Sequence, residues 1–415
     1  MQKIFTGFVF FTTSFAASAA GFGLSEQSGS GLGNSFAGAA AIAEDASTVY
    51  ANPAGMTYIE GTQAAGVLHL IKPSIEFNND GNSAPGTARP LGGEGGEAGD
   101  LAYVPNFYFV MPINDQTKFG LGVNAPFGLK TEYDKDWIGR FQGIKSELKT
   151  ININPSLAFK VNEQLSLGFG ISAMWAQAEL SSAVNLGVAE RSSTVKGDDW
   201  GFGYNLGAIY QVTKDSRIGF SYRSKVDQHL KGDVKFSVSN GPTLNGDVNA
   251  DITLPESLSL SGFSKLNDTW DVMADATWTR WSRFQELAIY RDNGAPLTTP
   301  TIENWNNTMR YSVAVNYHYS NTIKLRAGLA YDEGPVSEQF RTTRIPDNDR
   351  KWISLGAGWQ ATPSTKLDIG YAHLFISDTD INDDQRSALP LGKGRVSGEY
   401  DGSVDILSMQ VTHNF

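Results

Sequence analysis

"LSLGFGISAMW", Leu165–Trp175, alternates without a slip. Leu165, Leu167, Phe169, Ile171, Ala173 and Trp175 take the odd positions, with Ser166, Gly168, Gly170, Ser172 and Met174 between them. Successive strand side chains point to opposite faces, so this stretch has one greasy face and one that is mostly small or polar. In 310–319 the apolar set is Tyr311, Val313, Val315, Tyr317 and Tyr319, and the other set is Arg310, Ser312, Ala314, Asn316 and His318. Stretches 351–359 and 366–375 repeat the scheme. Working outward, candidate strands fall at 63–76, 101–112, 117–125, 146–160, 164–180, 200–212, 216–236, 247–264, 269–291, 305–319, 322–333, 350–361, 365–378 and 401–415, fourteen in all.

The connections alternate in length. Short ones carry Asn114-Asp115, Asn162-Glu163, Lys214-Asp215, Asn267-Asp268, Asn321 and Pro363-Ser364, residues that favour turns. Between them fall longer polar loops at 77–100, 126–145, 181–199, 237–246, 292–304, 334–349 and 379–400. An even number of strands with short turns at one end and long loops at the other is the pattern of an outer-membrane β-barrel, with both chain ends in the periplasm. A soluble sandwich would not alternate in this way. Trp175, Trp200, Trp278, Trp281, Trp305, Trp352 and Trp359 fall near strand ends, where interfacial girdles belong. In the last strand, Leu407, Met409, Val411 and Phe415 fall in step on one face.

Composition supports this class. Of 415 residues, 44 are Gly, 23 Phe, 15 Tyr and 9 Trp, and there is no Cys, which excludes disulfides, thiolate metal sites and Cys catalysis. The formal charge of −11 disfavours nucleic acid as a partner. Residues 1–19 read as an export signal: Lys3, an apolar core at 4–15, and Ala17-Ser18-Ala19 before the cut. That core is too short to span a bilayer, and no later apolar run is long enough for a transmembrane helix.

Residues 20–56 fit no strand. They are rich in Gly, Ala and Ser and end near Asn52-Pro53-Ala54. A bore of about fourteen strands is wider than wall side chains fill, and a compact segment of small residues can stopper it. A dangling tail would have no use for Phe22, Leu24, Leu32, Phe36, Ile42, Val49 and Met56. The expected organisation is therefore a signal at 1–19, a hatch at 20–56 and a barrel at 57–415.

"GLGNSFAGAAAIAEDASTVYANPAGM" resembles the hatch of the FadL family of outer-membrane transporters, including the Asn-Pro-Ala motif. "VPNFYFVMPINDQTKFGLGVNAPFG", "LPESLSLSGFSKLND" and "GLAYDEGPVSEQFRTTRIPDNDRKWISLGAGW" extend the likeness along nearly the whole chain. The resemblance implies a fourteen-stranded antiparallel barrel plugged by its own N-terminus. It also implies passive uptake of hydrophobic molecules, notably long-chain fatty acids, with aromatic or other neutral hydrocarbons as the alternative. It implies no cofactor or metal. Ligand would be caught in an outer groove, pass to a pocket beside the hatch and leave sideways at an inward kink in the third strand.

By the same resemblance Phe22 and Leu24 touch ligand, and Asn52, with Pro53 and Ala54, defines the pocket. The third strand holds Gly120 and Gly122 and precedes Pro126, so it is the candidate lateral gate. Those glycines mark either a bend or close packing against the hatch. Basic residues that meet a carboxylate in the family are missing at Ala178–Ser182 and 304–308. A lone buried anion needs a partner, which leaves Arg310 or Arg140, or a ligand with less charge. The loop at 181–199 looks short enough to shrink the outer groove. Expected partners are the hydrophobic ligand, outer-membrane lipid with lipopolysaccharide, and the barrel assembly machinery during biogenesis, with the protein a monomer.

Other features have plainer readings. Arg341, Arg344, Asp347, Asp349 and Arg350 read as a salt-bridged loop edge, since exposed ion pairs are common and weak. "SDTDINDD", 377–384, lacks the Gly and terminal Glu of a calcium loop. The histidines show no metal spacing. No Ser/His or paired-Asp arrangement suggests an enzyme. A general porin would lack the hatch.

Overall fold

The structure is a computed structural model that describes residues 20–86, 89–187, 189–237, 245–388 and 392–415. The expected export signal at 1–19 lies outside the described residues. Among the described residues fourteen antiparallel staves close into a barrel. They are β1 (Gln63–Asn79), β2 (Ala102–Pro112), β3 (Thr117–Asn124, resuming as Gly128–Glu132), β4 (Lys145–Lys160), β5 (Leu165–Asn185) and β6 (Glu190–Thr213). Next come β7 (Ser216–Arg223, then Val226–Phe236), β8 (Gly246–Leu254, then Ser257–Lys265), β9 (Trp270–Thr279) and β10 (Thr308–His318). The last four are β11 (Ile323–Asp332), β12 (Arg350–Thr362), β13 (Thr365–Ile376) and β14 (Arg395–Asn414). β1 closes on β14 in unbroken register from Gln63↔Asn414 to Asn79↔Gly398.

The short turns are built by the residues that mark them. Asn162 Oδ1 accepts from the amides of Gln164 (2.9 Å) and Leu165 (2.8 Å), and Asn267 Oδ1 from those of Thr269 (2.8 Å) and Trp270 (3.0 Å). On the loop side one expectation changes. In place of a loop at 181–199, β5 and β6 run on to Asn185 and Glu190 as one projecting hairpin. Val184, Thr194 and Val195 supply strand-favouring β-branched side chains, and the ladder runs on past the ends of the neighbouring strands. Thr379–Asp384 likewise pairs with the outer end of β14.

Polarity is inverted relative to a soluble protein. Phe169, Ile171, Phe202, Val313, Leu329 and Leu355 point outward and are exposed, Phe202 at 70%. Asn152, Asn154, Asn316, Ser354, Asp368 and Gln410 are buried inside. A lipid solvent favours this arrangement, since a Lys or Arg on the lipid face costs about 2–4 kcal/mol at mid-bilayer. The tryptophans divide. Trp200 and Trp359 are exposed, whereas Trp281, Trp305 and Trp352 are buried. The first two of those three lie where the 280–307 segment folds inward, and Trp352 sits on the inner face of β12, so none of the three belongs to a girdle.

Residues 20–59 lie within the ring and touch staves on all sides. Three four-residue helical turns (Gly29–Leu32, Ala39–Ile42, Thr48–Ala51) lead to a 3-10 turn, Pro53–Tyr58. The first turn packs on β12, β13 and β14, the second on β7 and β8, and the 3-10 turn on β3, β4, β5 and β6. Asn52 caps the 3-10 turn through Oδ1, which accepts from the Ala54 amide at 3.0 Å, and Pro53 supplies the fixed φ of its first position. The Asn52 side-chain amide donates to the carbonyls of Ala40 (2.6 Å), Ala208 (3.1 Å) and Phe220 (3.2 Å), joining the hatch to two staves. Glycine is required opposite: a Cβ on Gly207 would lie 1.9 Å from Asn52 Oδ1, and one on Gly168 2.3 Å from the Ala54 nitrogen.

A second anchor is ionic. Glu44 Oε1 meets Lys324 Nζ (3.0 Å), Arg326 Nη2 (2.8 Å) and Lys366 Nζ (2.5 Å), and Arg326 also pairs with Asp368 at 2.8 Å. Removing one member of a buried ion network costs on the order of 3–5 kcal/mol, because the remaining charges stay desolvated. Glu44→Ala is therefore expected to lower the temperature at which the folded band disappears from gels and to speed protease cleavage within 20–56; an unchanged profile would remove this anchor. Gly207→Val is expected to displace the Asn52 turn. Planar-bilayer conductance should then rise while the protein still runs as a folded barrel.

Candidate functional site

One break in the ladder lies beside the first residues of the hatch. β3 pairs with β4 as far as Asn124↔Asn152 and resumes at Gly128↔Lys149, so Ala125, Pro126 and Phe127 face only two partner residues. The β2–β3 ladder ends at Phe107↔Val123, while β2 continues to Ala102 against β1. Above that point the continuation of β3 has no ladder to β2 among the described residues. Pro126 cannot donate to a neighbouring strand, which is one local reason for the gap.

Residues 22–27 fill that gap. Leu24 donates its amide to the Pro126 carbonyl (2.8 Å), and Gly128 donates to the Phe22 carbonyl (2.9 Å). Gln27 Nε2 donates to the Ala125 carbonyl at 3.1 Å, and Asn106 Nδ2 to the Glu26 carbonyl at 3.0 Å. Backbone groups that a regular β3 would have paired with β2 are thus met by residues 22–27.

Phe22 sits in an aromatic box. Its ring centroid lies 4.6 Å from Trp281, 5.4 Å from Trp305, 5.6 Å from Phe284 and 6.1 Å from Phe127. The contacts to Trp281 and Phe284 are edge-to-face, a geometry that adds about 0.5–1.5 kcal/mol each beyond burial. Next to the box lies a cavity of about 220 Å³ between hatch and wall. Leu24, Pro126, Phe127 and Trp281 line one part of it, hatch alanines another, and hydroxyls of β7 to β10 such as Ser221, Ser257, Ser259 and Thr277 a third.

Four charged side chains of the wall line this cavity: Arg223, Arg310, Asp275 and Asp332. Arg310 is committed to the hatch. Its Nη2 donates to the Ser35 carbonyl (2.8 Å), its Nε lies 3.9 Å from Asp332 Oδ2, and its guanidinium sits 4.8 Å over Trp352. Asp275 accepts from Thr277 Oγ1 at 2.7 Å and from Ser261 Oγ.

The residues singled out in the sequence thus fall into separate groups. Leu24, Pro126 and Arg310 line the cavity and Phe22 fills the adjoining box. Asn52, Pro53 and Ala54 stand apart at the hatch–wall junction described above. Gly120 and Gly122 lie inside the regular part of β3, facing the hatch: a Cβ on Gly120 would meet Met56 Sδ at 2.2 Å, and one on Gly122 would touch Val49 at 3.4 Å. Arg140 lies in the outer loops, where Glu190 (3.0 and 2.9 Å) and the carbonyls of Pro90, Leu91 and Trp137 take up its donors.

The cluster at 341–350 is no exposed edge. Arg341, Asp347 and Arg350 are buried, because the loop turns inward over the bore. Asp347 Oδ2 accepts the Gly21 amide at 2.6 Å while Oδ1 pairs with Arg350, so this loop holds the start of the hatch. Burial pushes the Asp347 carboxyl above its ordinary range, and Arg350 and the Gly21 amide oppose the shift. In the neighbouring loop burial pushes Glu303 up to about 8, with Asp383 acting in the same direction and the Trp305 indole N–H (3.1 Å) against it. Near neutral pH Glu303 is thus largely a protonated hydrogen-bonding group. Arg223, Asp275, Phe127, Trp281 and Asp347 carry no motif that marks them. The one sequence clue was the inward phase of Arg223 and Asp275 on their strands.

Comparison with known proteins places this geometry. Residues 10–415 match the model of the outer membrane protein transport protein family (OMPP1/FadL/TodX). Outer membrane protein P1 of Haemophilus influenzae (strain Rd) is 36% identical over 400 residues, covering 86% of each chain. The long-chain fatty acid transport protein of Escherichia coli O6:H1 is 32% identical over 398 residues, also covering 86% of each. The crystal structure of a Pseudomonas aeruginosa FadL homologue superposes with a TM-score of 0.89 at 27% identity, covering 95% of this chain and all of the other. A plugged fourteen-stranded barrel that matches this family over nearly its full length belongs to it: the chain is a member of the FadL family of bacterial outer-membrane transport proteins.

Proposed function

We propose that the protein moves hydrophobic molecules passively across the outer membrane, long-chain fatty acids foremost. The observation that carries this reading is a cavity that abuts a break in the barrel wall, with the N-terminal segment sealing the break. Ligand enters from the outer loops, occupies the hatch-side cavity and leaves through the gap at Ala125–Phe127 into the bilayer. Phe22 and Leu24 are the moving parts. At about 220 Å³ the closed cavity is below the ~300–1,000 Å³ of ordinary ligand sites, so a long acyl chain requires them to shift. Gly120 and Gly122 act by letting the hatch pack against β3, and Pro126 by preventing the strand from closing the gap. Residues 20–56 are the plug.

No nucleotide or ion gradient enters this scheme, and the family is one of transporters rather than enzymes. A general porin fits poorly, since the bore is occupied by a segment fixed through Asn52 and Glu44. Uptake of aromatic or other neutral hydrocarbons by the same route is the alternative, favoured by the Phe22 aromatic box. The protein works as a monomer whose lipid face meets outer-membrane lipid and lipopolysaccharide, after insertion by the barrel assembly machinery.

Cells carrying the protein are expected to take up oleate at least several-fold faster than cells lacking it. Toluene uptake that depends on the protein while oleate uptake does not would establish the alternative, and dependence of neither would end the transport reading. Asn52→Phe cannot fit against Gly207. It is expected to cut oleate uptake with the amount of folded barrel in the membrane unchanged; normal uptake would show that the hatch junction does not shape the path.

A further inference from the structure

We propose that Arg223 receives the carboxylate of an acidic ligand in the hatch-side cavity and so sets the preference for fatty acids over neutral hydrocarbons. The inference rests on the transport reading above and adds to it the residue that recognises the headgroup. Of the two guanidinium groups lining the cavity, Arg310 has an acidic neighbour in Asp332. Arg223 has none: among the described residues no carboxylate oxygen comes within 4.0 Å of it. It is nonetheless buried, at 9% exposure.

Its position is fixed by neutral groups. Nη2 donates to the Tyr50 carbonyl at 2.9 Å, Nη1 approaches Ser172 Oγ at 3.4 Å, and the guanidinium lies 4.1 Å over the Tyr50 ring. The aromatic face stabilises the cation without neutralising it. All of these partners are neutral, so the guanidinium charge is held without an acid beside it. A buried cation with no anion is costly unless something completes it. The planar fork of a guanidinium matches a carboxylate, which bonds through two oxygens at once.

The surroundings suit a carboxylate with an apolar tail. Ser257 stands opposite Arg223 in the β7–β8 register, and Ser221 is two residues away on the same face, so two hydroxyls line the cavity near the headgroup position. Ala40, Ala43 and Ala51 of the hatch and Leu24 and Phe127 at the gap line other parts of the same cavity. The carboxylates that share the cavity are engaged elsewhere: Asp275 by Ser261 and Thr277, Asp332 by Arg310, Glu44 by Lys324, Arg326 and Lys366, and Asp45 by Ser30 and Gln410.

The test compares oleate with oleyl alcohol, which has the same tail and no charge, as ligands for the purified full-length protein in detergent. Wild type is expected to prefer oleate. Arg223→Met is expected to weaken oleate binding about tenfold or more, the scale of a hydrogen bond to a charged group, and to leave oleyl alcohol within about twofold. Arg223→Lys, which keeps the charge but not the fork, should fall between them, and it stands in for the Met variant should that one fail to fold. Equal losses for both ligands, or no loss for oleate, would overturn the assignment while leaving the transport reading in place. Wild-type protein that binds neither ligand would overturn both.

Discussion

In a bilayer every backbone N–H and C=O needs a partner inside the protein, because lipid offers none and each unpaired group costs several kcal/mol. A closed ring of strands meets this demand, and the β1–β14 seam completes it without a register slip. The constraint makes the interruption of β3 informative. A wall with a gap is stable only if something else pairs with its edges. Here residues 22–27 do so, with two backbone hydrogen bonds to the break and two through Gln27 and Asn106. Residues 22–27 thus lie inside the ring and at the same time pair with its interrupted wall.

A second consequence follows from the inverted polarity. Since the lipid face takes the apolar half of each strand, the bore receives the polar half, and any segment stationed there must satisfy it. The hatch does this with few charges. Glu44 serves three cations, Asn52 spends its amide on three carbonyls, and small residues let the backbone come within contact of wall glycines. The two anchors hold the later part of the hatch on different staves. Its first few residues are held by hydrogen bonds to Asp347 and the β3 break and by aromatic packing, with no ion pair among the described residues.

Much of this was legible from spacing. Period-two alternation and turn residues located all fourteen staves, because each strand faces two solvents of opposite character. Elements that do not cross lipid were harder. The 181–199 segment extends as a hairpin, and Trp281 and Trp305 turn inward, since outside the membrane no second solvent dictates which way a side chain points; Trp352 points inward by the alternation of β12 itself. The 341–350 cluster looked like a surface edge for the same reason: sequence shows the charges but not that the loop folds over the bore. Arg223 was hidden differently. Its significance lies in a carboxylate that is not beside it, and one-dimensional spacing does not show the lack of a neighbour from another stave.

The seal also bounds how the gap can work. Four hydrogen bonds at about 0.5–1.5 kcal/mol net each, with the packing of Phe22 in its box, amount to several kcal/mol holding residues 22–27 in place. Spontaneous opening is then rare, and a ligand shifts the balance only by binding the open arrangement more tightly than the closed one. A molecule small enough for the closed cavity gains little from opening it. One whose tail displaces Phe22 and Leu24 exchanges their apolar contacts for its own, at about 0.8 kcal/mol for each methylene buried. On the proposed route tail length and headgroup act on different parts of the same cavity: the tail on the seal, the charge on the wall.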